Sequence, residues 1–133
     1  MKKMIRIAAL ALTLAVIAGL LLGCAAGRFK GTYYCNGVFY SFDGKGNGSA
    51  FLIVEGEKIV AGTLTYDVSG RKITMKIVDE ADSSDGAAAT YEFKFVKNGF
   101  ILTDKYNDKG LFMKADPDNF DISEYEAWCE NYR

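Results

Sequence analysis

The chain has 133 residues, half of them hydrophobic and a quarter charged, with a formal net charge of −1 and no histidine. No basic stripe is present to neutralise phosphates, which argues against nucleic acid as a partner. Without histidine there is no His-based catalytic triad, and three cysteines make no structural zinc site, so no metal or cofactor is expected.

The chain opens on Lys2, Lys3 and Arg6, followed by sixteen apolar or small residues at 7–22. That run is shorter than the roughly 18 to 20 residues of a membrane-spanning helix, and the layout is that of an export signal. Leu21-Leu22-Gly23-Cys24 then resembles the lipobox of bacterial lipoproteins. Leu21, Gly23 and Cys24 match it, while Leu22 stands where a smaller residue is commoner. The resemblance implies that residues 1–23 are cleaved and that Cys24 carries a diacylglyceryl thioether. It also implies an extracytoplasmic domain on the membrane, the outer one in a cell with two. Residues 24–28 are then a lipidated tether reaching at most about 14 Å beyond Cys24.

Removing the leader leaves 110 residues, enough for one modest core. Their 13 basic and 17 acidic side chains give a net charge of −4. With Cys24 assigned to lipid, Cys35 and Cys129 form an even pair in an oxidising compartment, where a disulfide is expected. Two buried free thiols are the alternative.

From residue 29 the pattern is short strands separated by turn chemistry. Strands are expected over 29–35, 38–42, 49–54, 58–68, 71–78, 89–96, 100–104 and 111–114. Asn36-Gly37 and Asn98-Gly99 suit tight hairpin turns, and Gly62 marks a bulge or bend in the fourth strand. Alternation is clean in the fifth strand: Ile73, Met75 and Ile77 face one way, Lys72, Thr74 and Lys76 the other. Eight strands at this spacing point to an up-and-down antiparallel meander closed as a barrel. Asp116-Pro117-Asp118 stops the strands, and 122–132 reads as a helix started by Asp121 with Glu124 or Ser123 with Glu126. Ile122, Tyr125, Trp128, Cys129 and Tyr132 share one face, which should dock on the barrel. A bridge to Cys35 would place this helix at or partly over the mouth farthest from the tether.

No constellation carries catalysis. Asp43, Asn47 and Gly48 fit three positions of a calcium loop, but Lys45 and Val54 occupy ligand positions, so a hairpin loop is favoured. Asp79, Glu80, Asp82 and Asp85 read as a solvated acidic loop. No serine lies in a nucleophile motif, and the chain is not expected to be an enzyme.

The unusual feature is nine Phe, eight Tyr and one Trp, all after Cys24. Tyr40, Phe42, Tyr66, Tyr91, Phe93, Phe95 and Phe100 are the inward candidates. They either fill a narrow barrel or line a small ligand pocket with tyrosine hydroxyls as polar handles.

Gly31-Thr32-Tyr33, Tyr40-Ser41-Phe42-Asp43-Gly44-Lys45-Gly46, Phe93-Lys94-Phe95 and Leu111-Phe112-Met113-Lys114 together resemble the small lipocalin-like domains of bacterial lipoproteins. The resemblance covers about residues 29–114 and implies a barrel of that type, without a transferable ligand or catalytic residue. The expectation is a mostly β, monomeric, membrane-anchored lipoprotein. Its lipocalin-like barrel spans 29–114, and a linker and helix occupy 115–133. It would bind a small hydrophobic or amphipathic molecule, or alternatively act as a protein-interaction or inhibitor domain through its acidic far end.

Overall fold

A computed structural model describes residues 27–79 and 87–133. Cys24 with its leader, and Glu80, Asp82 and Asp85 of the acidic loop, lie outside the described residues. The strands are β1 (Lys30–Cys35), β2 (Val38–Asp43), β3 (Asn47–Val54), β4 (Glu57–Ser69), β5 (Lys72–Asp79), β6 (Ala89–Val96), β7 (Gly99–Thr103) and β8 (Lys109–Lys114). Each pairs antiparallel with the next, and β8 returns to β1 through Tyr33↔Lys114 and Tyr34↔Met113, so the sheet closes as a barrel. The sequence-expected meander of eight strands with one C-terminal helix is the observed fold.

Turn chemistry sets the register. Asn36 and Gly37 have φ of 46° and 95°, the left-handed pair that a two-residue hairpin of this hand requires. In β4, Ala50 faces Gly62 while Phe51 faces Val60, so Ala61 is an extra, bulged residue beside the glycine. Because turns alternate between ends, Lys45, Arg71 and Lys97 lie at the end where β1 begins. Glu55, Glu57, Asp79 and Asp108 lie at the opposite end.

Strand alternation produces two apolar clusters separated by the barrel wall. Tyr33, Cys35, Phe42, Leu64, Tyr66, Ile73, Phe100 and Phe112 point inward. Tyr34, Phe39, Phe51, Ile101, Leu111 and Met113 point outward, and there the C-terminal segment covers them. Phe120 lies 4.2 Å from the Tyr34 ring and 5.2 Å from Phe39, bringing residues 115–121 along the wall.

The helix, α1 (Ile122–Glu130), is capped by Asp121, whose carboxylate accepts from the Ser123 N–H at 2.9 Å. It turns Tyr125, Trp128 and Cys129 onto the wall. The Tyr125 hydroxyl donates to the Leu111 carbonyl at 2.9 Å, and Trp128 Nε1–H donates to the Lys97 carbonyl at 2.8 Å.

Three expectations are corrected here. The helix lies on the barrel's flank rather than over its mouth, because its apolar face matches the outward row of β1, β2, β7 and β8. Ile122 is 47 % exposed and is not part of the docking face. Cys35 and Cys129 are free buried thiols, not a disulfide. Tyr34 turns outward to the helix and its neighbour Cys35 inward, so the two thiols belong to different apolar clusters, and at the end of β1 the Cys35 thiol engages Tyr125 and Leu111 instead of bonding to Cys129.

Candidate ligand-binding site

The barrel interior is divided into a filled half and an open half. At the end where β1 begins, Phe29 is fully buried, with ring centroids 4.9 to 5.1 Å from Phe95, Phe100 and Phe93, and 6.0 and 6.1 Å from Phe42 and Tyr66. The Tyr66 hydroxyl donates to the Phe29 carbonyl at 2.8 Å, and the Arg28 guanidinium sits 4.2 Å over the Phe95 ring. The segment entering β1 thus corks this end with an aromatic plug.

The other end is a cup of about 350 Å³. Its walls are Cys35, Tyr40, Met75, Tyr91, Leu102 and Phe112, and Ile77, Asp104, Asp108 and Lys109 form its lip. The gradient along the inward row of β5 shows where the cup opens: Ile73 is 0 %, Met75 7 % and Ile77 38 % exposed. Among the described residues the β5–β6 ladder runs no farther toward the lip than Met75↔Ala89.

A larger depression of about 700 Å³ lies nearby, but Lys72, Thr90, Glu92, Thr103, Lys105 and Asn107 line much of it. Those side chains already find partners in water. The smaller cup, with apolar walls, gains more from an occupant.

All seven sequence-selected aromatics belong to the interior cluster or pack against it. The structure brings only Tyr40 and Tyr91 of them to the cup. Phe42, Tyr66, Phe93, Phe95 and Phe100 belong to the plug. Of the cup residues that sequence reasoning did not select, Met75 and Ile77 were marked by the alternation of β5. Phe112 carried the same signal in a strand too short to fix its phase.

Comparison with known proteins finds no matching family model, no matching curated protein and no matching solved structure. The site's chemistry therefore has to be read from its own groups.

Burial raises the Tyr40 hydroxyl above its ordinary range, with Cys35 and Tyr91 adding to the effect. Burial pushes the Cys35 thiol up to about 11, although hydrogen bonding to Tyr125 and to Leu111 partly opposes it. At neutral pH the Cys35 thiol and the Tyr40 phenol therefore stay in their uncharged forms. In the β2–β3 loop the Asp43 carboxylate accepts from the Asn47 and Lys45 N–H groups at 3.0 and 2.7 Å, which lowers its pKa.

The raised thiol has a measurable consequence. A group titrating at about 11 folded and 9.0 unfolded stabilises the fold fully below pH 9 and loses that contribution as pH rises through 11. Urea unfolding should show stability falling by about 2 to 3 kcal/mol across that window. The slope should be shallower in Cys35→Ala, and an unchanged slope would remove the thiol from the account.

Proposed function

We propose that this protein is a non-catalytic binding module, held outside the cytoplasm on a bacterial membrane by lipid on Cys24, with a small hydrophobic or amphipathic molecule in the cup. The observation that carries this reading is the asymmetry of the interior. One end is sealed by Phe29 immediately after the short tether, and the other opens as an apolar cup of about 350 Å³. A tether at the sealed end leaves the open end facing away from the lipid surface. Arg28 and Lys30 at the sealed end suit anionic head groups, while Glu55, Glu57, Asp79 and Asp108 belong to the far end.

Native mass spectrometry of residues 25–133, exported and purified without detergent, tests the cup. A ligand mass present in the native spectrum and absent after denaturation is the expected result. A clean apo mass, together with no binding across a panel of small amphipaths, would refute it. Intact mass of the membrane-extracted protein tests the anchor: the chain should begin at Cys24 and carry the added diacylglyceryl mass.

A second reading, protein interaction at the far end, is favoured by the β3–β4 ribbon. The β4–β5 ladder ends at Gly62↔Asp79, so among the described residues 57–60 pair only with β3. Val54, Ile59 and Val60 on this ribbon are 47, 47 and 38 % exposed, beside Glu55 and Glu57. Replacing all three with threonine should abolish recovery of any specific envelope partner in a pull-down while leaving the cup's ligand bound.

A further inference from the structure

We propose that the cup selects a small organic cation, an ammonium group bearing methyl or aromatic substituents, over neutral and anionic molecules of the same shape. The inference rests on the binding-cup reading above.

The first argument is the composition of the walls. Tyr40, Tyr91 and Phe112 supply three aromatic rings to a space that also contains Met75 and Leu102. The Tyr40 and Phe112 rings meet 5.2 Å apart at 59°, as adjacent walls of a box do. Aromatic faces carry partial negative charge and attract a cation stripped of water, ammonium groups above all. The Tyr40 and Tyr91 hydroxyls offer oxygens that accept as well as donate.

The second argument is the lip. Among the described residues Asp104 and Asp108 stand there against Lys109. Asp104 is half-buried, and its Oδ1 accepts from the Tyr106 and Asp108 N–H groups at 2.8 and 2.9 Å. The carboxylate is therefore fixed at the lip and needs no ordering on binding. The neighbouring Lys105 ammonium lies 5.1 Å over the Tyr106 ring, outside the set of groups lining the cup. Among the described residues an anionic head would meet the Asp104 and Asp108 carboxylates at the mouth and no arginine in the walls, a like-charge penalty that disfavours it.

Size is the third argument. About 350 Å³ is near the lower end of the roughly 300 to 1,000 Å³ range of ligand pockets. It suits one head-group-sized molecule better than a whole lipid.

Methionine methyl NMR provides a local probe, since Met75 lines the cup whereas Met113 lies under the helix on the outer wall. The full chain, labelled at its methionine methyls in phospholipid nanodiscs, would be titrated with benzyltrimethylammonium. Its uncharged carbon isostere neopentylbenzene and the anion 3-phenylpropionate would be run alongside, with empty nanodiscs as the reference. The expected result is a Met75 shift with Met113 unmoved, and an affinity for the cation about tenfold above either competitor. That advantage should shrink when Asp104→Asn and Asp108→Asn are combined, since the amide introduced at position 104 keeps an oxygen for the loop hydrogen bonds while losing the charge. It should shrink in Tyr91→Leu as well.

Equal or tighter binding of neopentylbenzene or 3-phenylpropionate at Met75 would overturn the cation selectivity and leave the cup standing. If none of the three moved Met75, the cup reading itself would fall, and this inference with it.

Discussion

Phe29→Ala is expected to destabilise the domain by about 3 to 5 kcal/mol, the range for truncating a buried phenylalanine. Phe29 is 0 % exposed and touches aromatic rings from β2, β4, β6 and β7, so its loss leaves a hole that four strands would have to move to close. At about 4 to 8 °C per kcal/mol for a domain of this size, the thermal midpoint should fall by tens of degrees. Arg28→Ala provides the contrast. Its guanidinium only overlies Phe95 from the exposed side, so its removal should cost less than about 1 kcal/mol. If Phe29→Ala cost no more than Arg28→Ala, the plug would not be a structural element. The entry segment would then be a tether alone.

The meander was legible in the sequence because its signals are local. Asn36-Gly37 names its own turn, Ile73, Met75 and Ile77 name their face, and Asp121 names the start of the helix. Which aromatics line a cavity is a question of depth along the barrel axis, and alternation carries only inside against outside. Tyr91 and Phe93 sit on one face of one strand, yet one lines the cup and the other touches the plug. What separates them is Phe29, which lies just before β1 and fills the space from below. Alternation with Tyr33 and Cys35 sets Phe29 on the inward side but gives no depth along the axis. The cysteines were misread for a related reason. Pairing was inferred from their even number and compartment, which carry nothing about the distance and orientation a bridge needs; both thiols are free, with Cys35 engaged by Tyr125.

Trp128→Ala is the second large expected loss, again about 3 to 5 kcal/mol. Trp128 closes the helix onto the wall in two ways. Its ring joins the outward apolar cluster with Ile101, Leu111 and Met113, and its N–H satisfies the Lys97 carbonyl. Trp128→Phe separates the two contributions. It keeps most of the buried ring and strands the part-buried carbonyl, which should cost about 1 to 3 kcal/mol. Gly99→Ala approaches the same contact from the barrel. A Cβ there would lie 2.7 Å from the indole ring and closer still to the Phe112 carbonyl, so either the helix or the β7–β8 ladder must yield. Since Trp128 is the sole tryptophan, its emission reports which one does. A red-shifted spectrum with Met75 unmoved in the methyl NMR spectrum would show the helix lifting from an intact barrel. Simultaneous loss of both signals would show that helix and barrel unfold as one cooperative unit. The second outcome is expected, because the C-terminal segment covers Tyr34, Leu111 and Met113, and Tyr125 and Trp128 anchor it directly to the Leu111 and Lys97 carbonyls.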